Sequence, residues 1–132
     1  MPHDLSPSEL AKYRIEKAKE ELRAAKVNLN EELYSTSVNR SYYAIFHAAR
    51  ALLALERIDF KRHSGVISHF QREYVKTKKF DTEYSDIIVE AFDIRNETDY
   101  KDFYILPKDS VAKQAENAEK FINAIAEYIE KI

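Results

Sequence analysis

Cysteine and tryptophan are absent from this 132-residue chain, while glycine and methionine each occur once and proline three times. Without cysteine there is no disulfide, no thiolate metal site and no cysteine nucleophile, and the redox compartment is left open. With Gly65 as its one glycine, the chain has nothing from which to build a P-loop, a Gly-rich dinucleotide turn or a nucleophile elbow. Helix breakers this scarce, in a composition rich in Lys and Glu, favour long helices over sheet. No uncharged apolar run approaches the roughly 20 residues of a membrane span. The start, Met1-Pro2-His3-Asp4-Leu5, lacks a basic stretch followed by an apolar one, so no membrane association and a cytoplasmic protein are expected. No strong excess of either charge exists: the formal net charge is −2 and the pI about 6.1. Global attraction to nucleic acid is therefore excluded, and any RNA contact has to be focal.

The length suits one domain, residues 1–132, with a core that needs no staples. Ser6-Pro7-Ser8-Glu9 reads as a capping box with Pro in the first turn, followed by Ala11, Ile15, Ala18, Leu22, Ala25 and Leu29 at alternating spacings of four and three. That is the seam of a bundle helix. A second, far more apolar helix is expected from Ser35 or Ser37 to about Arg57, central and most buried. It carries a stripe of Val38, Tyr42, Ile45, Ala49 and Leu52. Small residues Ala44, Ala48 and Ala51, with Leu55, make a second stripe that allows a backbone to come close. Ser64 is a candidate cap for a short helix bearing Val66, Ile67, Phe70, Tyr74 and Val75, although Gly65 blurs its start. Asp81 is a candidate cap for a helix with Tyr84, Ile87, Ile88, Ala91, Ile94 and Arg95. Lys101 to Leu106 is irregular and aromatic, and Pro107 fits the first turn of a last helix with Val111, Ala115, Ala118, Ile122, Ile125 and Ile129 as its seam. The expected fold is all-α: an antiparallel up-and-down four-helix bundle with one additional short helix.

Polar chemistry collects in two places. Arg40, Tyr43, His47 and Arg50 fall at offsets of three, four and three, one face of an otherwise apolar helix. They have the makings of a basic wall for a base and a phosphate, with His47 able to exchange a proton near neutral pH. Equally, the rings bury in the bundle and the arginines snorkel outward. Late in the fourth helix, Arg95 has the fork geometry to hold a phosphate, and Asn96 beside it adds an amide. The plainer alternative is a surface pair between Arg95 and Asp99, one turn on. Tyr100, Phe103 and Tyr104 follow, to cover the bundle end or line a site. His63 and His69, six residues apart, lack the i,i+4 spacing of a two-His metal site, so they are assigned structural or solvent roles, and neither metal nor cofactor is expected.

The stretch from Ser37-Val38-Asn39-Arg40-Ser41-Tyr42-Tyr43 through Ala44-Ile45-Phe46-His47-Ala48-Ala49-Arg50-Ala51-Leu52-Leu53, with His63 ahead of Val66, Ile67 and Phe70, and then Arg95 to Tyr100, resembles HEPN-domain proteins. The likeness is to the small stand-alone branch called UPF0332. It spans nearly the whole chain, with the features in order. The resemblance implies a helical bundle that commonly dimerises, with its site between helices near the dimer interface. It also implies a minimal nucleotidyltransferase as partner, often in a toxin–antitoxin pair. Active relatives share a metal-independent RNase motif of Arg, a polar residue and, four to six residues on, His. Arg95-Asn96 matches its beginning, whereas Tyr100, Lys101 and Asp102 stand where the His would fall.

In such relatives the His serves proton transfer to and from the ribose 2′-hydroxyl chemistry while Arg steadies the phosphate. His47 or Tyr100 is the candidate substitute here. A Tyr that receives AMP from the partner falls, by spacing, near Asp102, between Tyr100 and Tyr104. The expectation is thus a homodimeric HEPN partner of a nucleotidyltransferase with an RNA- or nucleotide-binding cleft of Arg40, Tyr43, His47, Arg50, Arg95, Asn96 and Tyr100. Weak metal-independent endoribonuclease activity and a ligand-free helical scaffold are the alternatives.

Overall fold

A computed structural model describes residues 5–101 and 104–132 of the chain; His3, Asp102 and Phe103, named above, lie outside the described residues. Five α-helices follow one another: α1 (Pro7–Asn30), α2 (Tyr34–Glu56), α3 (His63–Phe70), α4 (Thr82–Tyr100) and α5 (Lys108–Lys131). A single π-helical turn, Gln71–Val75, extends α3. The described residues contain no strand, and no helix among them is long and apolar enough to cross a membrane. The all-α bundle expected from the sequence is the fold observed.

The capping box of α1 forms as its residues dictate. The Glu9 amide donates to Ser6 Oγ, and Glu9 Oε1 accepts from the Ser6 amide, both at 3.1 Å. Other helix ends differ from expectation. Helix α2 starts at Tyr34, before Ser35 and Ser37, with no side-chain cap. Arg62, in extended backbone, takes the cap position of α3 that Ser64 was expected to hold. Asp81 occupies the cap position of α4 without a side-chain hydrogen bond. Pro107 stands at the cap of α5 and not inside its first turn.

Helix α2 is the buried centre, and its register against α1 is fixed by a hydrogen bond that crosses between them. Ser37 Oγ donates to the Ala25 carbonyl at 2.8 Å. Ser37 is therefore not a cap; it sits inside α2, facing α1. Counting on by four and three gives Ser41, Ala44, Ala48 and Ala51, every one of them at 0 % exposure. The opposing residues of α1 are as small: Ala25, Ala18 and Ala11, also sealed from solvent. Arg14 Nη1, donating to the Arg50 carbonyl at 2.8 Å, confirms the antiparallel register nearer the start of α1. Ala and Ser at these positions let the two helices approach more closely there than large side chains would permit.

Larger residues fill the remaining sides. Phe121, Ile122 and Ile125 of α5 meet Phe70 of α3 and Ile87 and Ile88 of α4 in one contiguous core. Antiparallel α4 and α5 are tied by Lys120 to Glu83 at 2.7 Å and Gln114 to Glu90 at 2.8 Å. Beneath the π-helical turn, buried His69 faces both oxygens of Glu56 at 3.0 and 3.1 Å. The Tyr74 hydroxyl donates to the same carboxylate, so the end of α2 anchors the end of the α3 run. This gives His69 the structural place assigned to it.

Ala44→Leu pushes three carbons into the α1–α2 seam and is expected to destabilise the fold by about 1–3 kcal/mol. Urea unfolding followed by circular dichroism measures it, with the exposed Tyr13→Leu as a control expected to change little.

Candidate functional site

The crossing of α2 and α4 brings Arg95 back across the bundle. Its side chain is 19 % exposed and does not stand out in solvent as a simple helix-end pair would. The guanidinium lies 5.3 Å from the Tyr42 ring centre and 5.5 Å from that of Tyr43, and Nη2 donates to the Tyr43 hydroxyl at 3.2 Å. Desolvated cation–π contacts of this kind contribute about 1–2 kcal/mol. Asp99 is close as well, its Oδ2 3.1 Å from Nε. The Nε–H is nonetheless out of line with it, and among the described residues that buried donor makes no hydrogen bond. Nη1 reaches Asn96 Oδ1 only at 3.5 Å. Arg95 is thus held in place by rings while much of its donor capacity stays unused.

The other two arginines are differently placed. Arg40 Nη1 donates to Glu21 Oε1 at 2.8 Å and Nη2 to Asn39 at 2.9 Å, with its guanidinium also 5.3 Å from the Tyr43 ring. Arg50 donates to Asp59, which Arg14 approaches to 3.6 Å. Burial alone would raise the Asp59 carboxyl, but the hydrogen bonds from Arg50 and the Phe60 amide, with the charges of Arg50 and Arg14, hold it below the ordinary range. Carboxylates already engage both of these guanidiniums.

His47 lies toward α1, 3.8 Å from Glu21. Burial pushes its pKa below the ordinary value; Glu21 opposes this, and Arg50, Lys17 and Arg14 add to it. No described contact joins His47 to Arg95. Tyr100 is 81 % exposed, and five residues of helical rotation put it on a different side of α4 from Arg95. The fold therefore assembles Arg95, Asn96 and Tyr43 in one place, with Arg40 against the same ring. His47 and Tyr100 are not brought to Arg95.

The imidazole that is brought there is His63, the first residue of α3. Its Nδ1 is 2.7 Å from the Tyr42 hydroxyl, and its ring packs on Phe46 with centroids 4.1 Å apart. Burial depresses its pKa, and the positive charges of Arg95 and Arg50 depress it further. The turn that delivers His63 has a clear physical basis. Arg57 adopts a left-handed backbone (φ 61°) after α2, and the Ile58 amide bonds back to the Leu53 carbonyl in a Schellman closure. Asp59, clamped by Arg50, accepts the Phe60 amide at 2.9 Å. Phe60 then lies so close to Gly65 that a Cβ there would come within 3.0 Å. The one glycine of the chain serves this close approach.

Of the grooves described, the largest lies between α4 and α5 beside Tyr84, Lys120 and Tyr128, and none is lined by Arg95, Tyr43 or His63. Among the described residues no three His, Asp or Glu side chains converge as metal ligands do.

Both rings hold their neutral form to lower pH when folded than the ordinary value of 6.5. The unfolded chain then takes up protons first as the pH falls, so stability is level above about pH 7 and declines below about 6.5. Thermal unfolding between about pH 8 and pH 5 is expected to show this, and a His47→Gln/His63→Gln double variant to decline less steeply. An equally steep decline would place the acid sensitivity elsewhere.

The chain is similar to known proteins over most of its length. The HEPN domain profile matches residues 11–131. A Thermotoga maritima UPF0332 protein is 35 % identical over 123 residues, 93 % of each chain. A UPF0332 protein of Archaeoglobus fulgidus is 32 % identical over 118 residues, 89 % of this chain and 94 % of its own length. A Methanocaldococcus jannaschii protein bearing the name "Putative toxin" is 34 % identical over 115 residues, 87 % of this chain and 78 % of its own. With the helical bundle, the ordered motifs and a profile match over nearly its whole length, the chain belongs to the HEPN domain family.

Proposed function

We propose that this chain is the toxin-like member of a cytoplasmic HEPN–nucleotidyltransferase pair, and that it receives RNA or a nucleotide on the surface around Arg95. The observation that carries this reading is the state of Arg95. A guanidinium fixed over two tyrosine rings, with only long hydrogen bonds from its Nη atoms to Tyr43 and Asn96 and, among the described residues, no hydrogen bond to the neighbouring Asp99, keeps Nη hydrogens for an anionic ligand. The names of two Methanocaldococcus jannaschii relatives support a toxin-like role. The likeness to HEPN proteins, which implies a bundle that commonly dimerises, supports a homodimer.

Partnership is tested by coexpressing the tagged chain with a minimal nucleotidyltransferase from its own genome. The two are expected to co-purify as a complex in which light scattering finds a pair of 15.5-kDa HEPN chains. Failure to associate, or a monomer, counts against the reading. Fluorescence anisotropy with a labelled oligoribonucleotide tests the ligand. Arg95→Ala is expected to weaken binding at least roughly tenfold, with a stability loss of about 1–2 kcal/mol. Cleavage of the same RNA in EDTA, abolished by Arg95→Ala, would convert the binding module into the metal-independent endoribonuclease.

A further inference from the structure

We propose that His63 and Arg95 form one phosphate-binding pair, in which a neutral imidazole, oriented by Tyr42, presents its Nε2–H to a phosphate oxygen beside the Arg95 guanidinium. This rests on reading the Arg95 surface as a binding site; nothing in the motif of that site calls for a histidine from α3.

Tyr42 is wholly sealed from solvent, and among the described residues its hydroxyl has a single partner, His63 Nδ1 at 2.7 Å. A buried O–H has to donate somewhere. It can do so here only if Nδ1 offers its lone pair, which leaves the ring hydrogen of neutral His63 on Nε2. Protonating the ring would reverse the bond and strand the phenolic hydrogen. The neighbouring charges act in the same direction, since Arg95 and Arg50 both disfavour an imidazolium. His63 is therefore a fixed donor, and Tyr42 also resists ionisation through its burial.

The second step is position. Tyr42 joins the two groups: its hydroxyl holds His63 while its ring carries Arg95 at 5.3 Å. Phe46 and the Tyr43 edge confine the imidazole, with centroid distances of 4.1 and 6.0 Å. His63 is only half-buried, and Nε2 makes no hydrogen bond among the described residues. One fully charged donor and one neutral donor, each immobilised by aromatic rings, suit an oxyanion with several acceptor oxygens.

Two measurements test the pair. Long-range 1H–15N spectra of the full chain with labelled histidine are expected to show His63 as the Nε2–H tautomer at neutral pH, and to show that preference lost in Tyr42→Phe. An Nδ1–H tautomer overturns the proposal. Binding is then compared for a labelled ten-nucleotide oligoriboadenylate and for adenosine 5′-monophosphate, which separates a phosphodiester chain from a free nucleotide as the source. His63→Ala is expected to weaken the bound probe roughly tenfold, and His63→Gln, whose amide N–H stands near the place of Nε2–H, to recover most of the loss. Should His63→Ala lose structure, the glutamine variant and the wild-type spectra still decide. If Arg95→Ala weakens binding and neither His63 variant does, the pair is refuted and the Arg95 surface stands. If neither residue matters, or the wild-type chain binds neither probe, both readings fall.

Discussion

The close contact of α1 with α2 is the constraint from which the rest of the molecule follows. Ala11, Ala18 and Ala25 oppose Ala51, Ala44 and Ser37, and a seam this shallow leaves no room for large side chains on that side of α2. The bulk of α2 is displaced to its other faces, where Tyr42, Phe46, Leu52 and Leu53 point toward α3, α4 and α5. Helices α4 and α5 close over those residues. The same displacement sets Tyr42 and Tyr43 side by side, with rings 5.2 Å apart, and an arginine from α4 finds two aromatic faces together. Packing on one side of a helix thus prepares a polar surface on another.

That surface has an internal order set by pairing. Arg40 and Arg50 are engaged by Glu21 and Asp59, with partner and geometry both favourable. Arg95 has Asp99 close by, but its Nε–H misses the carboxylate. Half-exposed ion pairs contribute little to stability in any case, so the difference matters more for ligand binding than for folding. A ligand oxygen arriving at the Nη atoms of Arg95 gains bonds that the protein leaves unmade, whereas at Arg40 or Arg50 it competes with a hydrogen-bonded carboxylate.

Periodicity made the helices legible, because an apolar residue every three or four positions has one physical solution in a chain with so few breakers. The capping box and the buried seams of α1 and α5 were equally plain. Ser37 was misread because Ser near a helix start usually caps, and only the proximity of the Ala25 carbonyl reveals its other use. The stripe Arg40, Tyr43, His47 and Arg50 was placed correctly on one face of α2. Spacing along a single helix does not say which neighbour approaches that face, however, so it could not tell that Tyr43 meets Arg95 while His47 meets Glu21.

His63 shows where sequence reasoning stops. Its six-residue separation from His69 was informative about metal ligation and silent about a catalytic or binding role, since the relevant distance runs through Tyr42, twenty-one residues earlier in the chain. What carries His63 there is a left-handed Arg57, an aspartate held by an arginine, and a phenylalanine resting on the one glycine. No local pattern encodes the sum of those three events. Signals did exist in part, for a lone glycine in a helical chain marks a close approach or a turn, and this one lies two residues after the histidine. A motif that lacks its histidine at the expected spacing is therefore better searched through the neighbours of its arginine in space. By that criterion the imidazole that shares Tyr42 with Arg95 comes from α3, while α4 contributes the arginine with Asn96 and Asp99 beside it.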